Sequence, residues 1–191
     1  MNTLFDIPET SKARHNIRMM AGARNNRIAH DFYPTPEIAT VSFLEREKFE
    51  GEIWEPACGD GAMSRVIERY GYPVKSTDLI DRGYGVGEVD FLRSKERANN
   101  IMTNPPFSLA NKFIHHALTH ADKKVAMLLR LNFLESKTRK KFFTEFPFAR
   151  IYVFAERVPF RVNPQSGSNA IAFAWFVWDY LHSGKATIEW L

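Results

Sequence analysis

The stretch IWEPACGDG, residues 53–61, decides the fold. An apolar run stops at Glu55, a proline and small residues follow, and two glycines flank Asp60. Directly afterwards Met63, Val66, Ile67 and Tyr70 recur at helical spacing. A strand, a glycine turn and a helix in that order predict the start of a doubly wound α/β sheet, whose ligands bind beyond the carboxyl ends of the strands. Gly59 and Gly61 allow close backbone approach and a positive φ. No GxGxxG phosphate fingerprint is present, and an acid beside the loop suits a cationic ligand better than a pyrophosphate.

Working outward, the pattern keeps alternating. YPVKSTD (72–78) predicts a second strand ending at Asp78, and the glycine-rich GYGVG (83–87) a loop. EVDFL then predicts a third strand, closed by Asp90 and Phe91, and NIMT (100–103) another. Leu109, Phe113 and Ala117, with Ala110, Ile114 and Leu118, form the apolar stripe of a helix. KVAMLLRL (124–131) is continuously apolar, as strands buried on both faces are. ESKTRKKFFTEF (135–146) predicts a basic helix, and ARIYVFA (149–155) and AIAFAWFVWD (170–179) two strands able to pair antiparallel. Such alternation implies a mostly parallel sheet with helices on both faces. Residues 1–30 lack periodicity and are expected to form a basic arm, leaving 31–191 as a single catalytic domain.

Composition narrows the class. At 191 residues, 45% hydrophobic with 16 phenylalanines, the chain can bury a full core. No apolar run has membrane-spanning length and no secretory pattern opens the chain, so a cytoplasmic protein is expected. The single cysteine excludes an internal disulfide and a cysteine zinc cage. The net charge is only +4, but the bases cluster. Lys12, Arg14, Arg18, Arg24 and Arg27 stand near Asp6 and Glu9 alone, Lys137, Arg139, Lys140 and Lys141 form a second group, and Arg157 and Arg161 a third. Clusters of this kind suit a phosphate backbone. His115, His116 and His120 lie on the polar face of their helix, and no metal site is expected there.

One further stretch, TNPPF (103–107), joins an amide, two prolines and an aromatic to a strand end. EPACGDG, STD, VDF and NPPF in this order, with DFYPTP (31–36) upstream, resemble the adenine-N6 DNA methyltransferases that use S-adenosylmethionine. The order resembles their gamma arrangement, and the compactness resembles small phage and prophage members. The resemblance implies a Rossmann-like class I methyltransferase fold, with a mostly parallel seven-stranded sheet, an antiparallel C-terminal strand and helices on both faces. It implies that Tyr33, Pro34, Thr35 and Pro36 touch the methionine part of S-adenosylmethionine, and that Glu55, Cys58, Gly59 and Gly61 line its loop. Asp78 would hold the ribose, Asp90 and Phe91 the adenine, and Asn104 would lie between cofactor and substrate.

The chemistry fits the residues. An adenine amino nitrogen is a poor nucleophile because its lone pair is delocalised into the ring. The Asn104 side-chain oxygen and the Pro105 carbonyl can accept its two N–H bonds. Pro105 and Pro106 restrict the backbone that aims them, and Phe107 offers a stacking face. Arg24, Arg27, Lys137, Arg157, Phe160 and Arg161 are the candidate nucleic-acid contacts, the last three in the loop 157–169. No separate target-recognition domain is expected after Phe107, so selectivity should be short or loose. DNA is the expected partner, with RNA open, no membrane, and a monomer or homodimer. An RNA adenine, a protein glutamine, or a non-catalytic nucleic-acid-binding role on the same scaffold remain as alternatives.

Overall fold

The computed structural model describes residues 32–160 and 171–191. In chain order the elements are α1 (Glu37–Arg46), β1 (Ile53–Glu55), α2 (Ala62–Arg69), β2 (Val74–Ser76), β3 (Ala98–Thr103), α3 (Ala110–His120), β4 (Ala121–Arg130), α4 (Lys140–Thr144), β5 (Phe148–Val153), β6 (Phe173–Asp179) and β7 (Thr187–Trp190). The strands form one seven-stranded sheet in the order β2-β1-β3-β4-β6-β5-β7. Pairings β1–β2, β1–β3, β3–β4 and β5–β7 are parallel, whereas β6 runs antiparallel to both its neighbours.

The period of two on the central strands explains the two-sided core. Val125, Met127 and Leu129 of β4, with Ala174, Phe176 and Trp178 of β6, face a layer holding Phe113, Ile114 and Phe142 from α3 and α4. Their neighbours Ala126, Leu128, Trp175 and Val177 face the opposite layer, with Phe43 and Leu44 of α1 and Met63, Val66 and Ile67 of α2. Helices therefore cover both faces, and β1, β3 and β4 end on one edge, where the Glu55 loop and TNPPF emerge.

Two expectations are corrected. EVDFL forms no strand: Glu88 turns the chain at φ 61°, and Asp90 caps a short 3-10 helix, Phe91–Arg93, by accepting from the Leu92 N–H at 3.0 Å. Among the described residues a single parallel bridge, Thr77–Val86, flanks β2 on its open side. The seventh strand is instead β7. The basic segment 135–146 is helical only over Lys140–Thr144. Its start is taken by a local turn in which Ser136 Oγ accepts from the Thr138 N–H at 3.2 Å, and Pro147 closes it. The expected arm 1–30 lies outside the described residues.

Candidate active site

The loop after β1 is built around its two glycines. Gly59 and Gly61 adopt φ of 57° and 81°, and Gly61 is the residue that starts α2. A Cβ at Gly59 would run into the Phe32 ring, and one at Gly61 into the Tyr84 ring. Glycine is thus required twice over, by conformation and by contact. The guanidinium of Arg82 lies 4.1 Å from the Phe32 ring centroid and that of Arg65 lies 4.7 Å from the Tyr84 centroid. Tyr84 Oη donates to Glu68 at 2.9 Å.

Asp78, beyond the end of β2, fastens this loop. Its Oδ2 accepts from the Gly59 N–H at 2.8 Å and its Oδ1 from the Ile80 N–H at 2.9 Å. A carboxylate has about four acceptor positions, so each oxygen keeps capacity for a hydroxyl. Asp78 is half-buried, as a residue shared between loop and ligand should be.

Glu55 takes a different place from the one expected. It is buried behind the loop, where it accepts from Ser64 Oγ of α2, which itself lies 2.7 Å from Ser76 Oγ. Burial pushes its carboxyl up to about 8; the Ser64 hydrogen bonds oppose this, and Asp78 and Asp60 reinforce it. Unfolded, the group would titrate near 4.5. Between those values the folded chain keeps a proton that the unfolded chain has lost, so stability is full below pH 4.5 and declines as pH rises through about 8. Glu55→Gln should flatten this decline, by about 5 kcal/mol at most. Urea denaturation of both proteins across pH 4–9 measures it, and parallel curves would remove the buried proton from the account.

Cys58 is buried with its thiol pushed up to about 12 by burial, then by Glu55 and Asp78, which makes it a packing residue rather than a nucleophile. Phe91 is also a core residue. Its ring packs edge-on to Trp54 at 5.2 Å and to His116 at 4.7 Å, and lies 5.1 Å from Phe113. The expectation that this ring covers a ligand is therefore corrected: the residue holds the 3-10 turn against the sheet, leaving Asp90 half-buried at the surface of the turn.

The second half of the site is TNPPF with DFYPTP. Asn104 Nδ2 donates to Thr35 Oγ1 at 3.1 Å, which fixes the direction of the amide. Asn104 Oδ1 is buried and has no hydrogen-bond partner. An unmatched buried acceptor costs about 1–3 kcal/mol, so a donor reaching this atom would be favoured. Pro105 is buried, and the Pro106 carbonyl accepts from the Leu109 N–H at 2.9 Å, starting a short 3-10 turn at Phe107. Pro36 begins α1 by accepting from the Ala39 N–H at 2.9 Å, and Pro34 is exposed. Tyr33 stacks on Phe107 with centroids 5.7 Å apart, so the two motifs meet through an aromatic pair as well as through the amide.

Phe160, expected to support a substrate base, is buried against Phe173 at 4.3 Å, and Phe173 in turn lies 5.8 Å from Phe107. Its ring is core packing rather than an exposed stacking face. Lys137 and Arg157 are exposed. Arg24, Arg27 and Arg161 lie outside the described residues. A cavity of about 390 Å³ opens between α3 and α4, lined by Asn111, Lys112, His115, His116, Thr138 and Lys141 with two apolar residues and no acid. Burial and the neighbouring His120 lower the His116 titration, keeping it neutral near pH 7. No cluster of metal-ligand side chains occurs among the described residues.

Sequence reasoning missed Phe32, Tyr84, Phe173 and Arg130. Phe32 and Tyr84 lie within the quoted DFYPTP and GYGVG stretches and Phe173 within a predicted strand, but their contacts form only when these segments meet in the fold. Arg130 did carry a local signal: it is the charge that closes the apolar, buried run Val125–Leu129 at the carboxyl end of β4.

No family model matches the chain, and no curated protein does either. The fold has many solved counterparts. A Listeria monocytogenes protein described as a class I S-adenosylmethionine-dependent methyltransferase aligns over 94% of this chain and 72% of its own, with TM-score 0.62 and 11% identity. Magnesium protoporphyrin IX methyltransferase from Synechocystis, holding bound S-adenosylmethionine, aligns over 90% of this chain and 86% of its own, with TM-score 0.51 and 12% identity. A Vibrio vulnificus protein described as the modification subunit of a type I restriction enzyme aligns over 95% of this chain, with TM-score 0.54 and 16% identity. This chain spans only 51% of that subunit. The architecture is the Rossmann-like class I methyltransferase fold.

Proposed function

We propose that the protein transfers a methyl group from S-adenosylmethionine to the exocyclic amino group of adenine in DNA. The observation that carries this reading is Asn104: a buried amide oxygen without a partner, oriented by Thr35, at the carboxyl end of a central strand.

The residues present fit the cofactor. Asp60 and Asp78, close to the buried Glu55 behind the loop, favour a cation over a phosphate. Bound there, S-adenosylmethionine supplies a sulfonium-activated methyl group. The Asp78 carboxylate would accept from the ribose hydroxyls while still holding the Gly59 N–H. Asp90 would accept from the adenine amino group of the cofactor, and Tyr33 to Pro36 would border the methionine part.

On the substrate side, Asn104 Oδ1 accepts one amino N–H and the Pro105 carbonyl the other. Holding both hydrogens out of the ring plane restores a lone pair to the nitrogen. The Phe107 ring, which also carries Tyr33 and Arg130, would border the base. No strong base is required, because positioning and fixed dipoles supply the main catalytic effect. The acid-free cavity with Lys112 and Lys141, and exposed Lys137 and Arg157, support a phosphate backbone as the partner. They favour nucleic acid over a glutamine side chain, which presents the same two hydrogens.

Incubation with labelled S-adenosylmethionine and separate DNA, RNA and protein pools tests this directly. Label in DNA supports the reading; label only in protein would replace it. A second expectation concerns the donor. Asp78→Ala should weaken S-adenosylmethionine binding by roughly 1.5–3 kcal/mol, the range for hydrogen bonds to a charged group. Calorimetry measures it, and unchanged affinity would remove Asp78 from the cofactor site.

A further inference from the structure

We infer that Arg130 is the phosphate contact of the active site, gripping a phosphate that flanks the base held by Asn104. The inference rests on the adenine-methylation reading and adds the group that makes a nucleotide, rather than an amide side chain, the preferred substrate.

Arg130 is the last residue of β4, and β4 lies beside β3, whose end carries Asn104. Its guanidinium stands 4.6 Å from the centroid of Phe107, the ring proposed to support the base. Across the sheet Arg130 is in register with Phe173, which packs on the same ring. The charge therefore lies against aromatic neighbours at the carboxyl end of β4.

Among the described residues, Arg130 Nε is buried with no hydrogen-bond partner and no carboxylate forms an ion pair with the guanidinium. Arg150, at the opposite end of the sheet, shows what a half-buried arginine ordinarily obtains: Glu47 at 2.7 Å and Asp179 at 3.0 Å. An aromatic face attracts a guanidinium but satisfies none of its five N–H donors, which lie in its own plane. A half-buried cation with an unmatched N–H is costly alone and becomes favourable once an anion arrives. The planar fork matches two phosphate oxygens, and a base seated on Phe107 brings its own phosphate within reach of the group stacked on that ring.

The test uses oligonucleotides with one adenine, single-stranded and duplex, whose flanking phosphates are native or replaced by neutral methylphosphonate. Wild type should lose about tenfold to a hundredfold in single-turnover kcat/KM when the contacted phosphate is neutralised, the range for a charged hydrogen bond. Arg130→Gln should lose a similar factor on native DNA and nothing further on the neutral substrate. Its melting temperature and S-adenosylmethionine affinity should match wild type. Losses that multiply would show that Arg130 and the phosphate act separately and would overturn the inference. Reduced S-adenosylmethionine affinity in Arg130→Gln would also overturn it, by assigning the guanidinium to the cofactor carboxylate. If wild type methylates none of these oligonucleotides, the adenine reading fails and the phosphate contact fails with it.

Discussion

The Asn104→Ala protein should fold, bind S-adenosylmethionine as wild type does, and methylate at least about a hundredfold more slowly. The magnitude follows the removal of one aimed donor or acceptor from a preorganised, water-poor site. Separation of binding from turnover follows from geometry: Asp78 fastens the glycine loop, whereas Asn104 reaches toward the acceptor side through an atom the protein leaves unmatched. Folding should survive because the variant loses one hydrogen bond to Thr35, worth about 1 kcal/mol, and also removes a buried oxygen that had no partner. Asn104→Asp should be milder, since a carboxylate still accepts and the Thr35 hydroxyl can turn to donate to it. Phe107→Ala should chiefly weaken base binding, by about 1–3 kcal/mol. If Asn104 were merely a turn residue, stability and activity would fall together. Thermal melts beside single-turnover rates distinguish the two cases.

The largest stability effect should come from the other end of the sheet. Glu47, buried just after α1, accepts from Lys124 Nζ at 2.7 Å, Arg150 Nε at 2.7 Å and Tyr152 Oη at 3.0 Å. Asp179 completes the group, accepting from Arg150 at 3.0 Å. One carboxylate thus ties α1 to β4 and β5 in a region with little water. Deleting it leaves two cations facing only Asp179, and breaking a buried pair in this way costs about 3–5 kcal/mol. Glu47→Ala should lose that much in urea denaturation, while any protein that remains folded methylates normally. A loss below about 1 kcal/mol would mean that water screens the cluster as it does a surface pair.

These two residues differ in how visible they were. Asn104 announced itself, because an amide before two prolines at a strand end has a chemical purpose that few other arrangements share. Glu47 did not, since its partners lie at positions 124, 150 and 152 and meet it only in the folded sheet. The same division runs through the fold. β4 and β6 were legible because burial on both faces demands an unbroken apolar run. α1 was not, because its buried Ala39, Thr40, Phe43 and Leu44 alternate with residues that weaken the helical stripe. β7 was hidden because a four-residue edge strand exposes most of its side chains.

EVDFL misled for a physical reason. Its alternation suits a strand, but Asp90 bonds its own backbone two residues on and Glu88 turns the chain, so the segment becomes a cap. Phe91 followed the same error, from proposed ligand cover to core. Within the site, the sequence disclosed the residues that carry the motif, and folding disclosed their orientation. Thr35 could be read as near the cofactor, but its grip on Asn104 required the two segments to be brought together. Arg130 shows the converse, a lone charge visible in the sequence whose meaning depends on the ring beneath it.

The central claim is that Asn104 receives the amino group of adenine. The most direct measurement is to incubate the wild-type protein with isotope-labelled S-adenosylmethionine and DNA, digest the DNA to nucleosides, and locate the labelled methyl by fragmentation mass spectrometry. The account predicts label on the exocyclic N6 of adenine, absent from the Asn104→Ala reaction. Label on a ring nitrogen, a carbon or an oxygen, or N6 label that persists undiminished in Asn104→Ala, would contradict it.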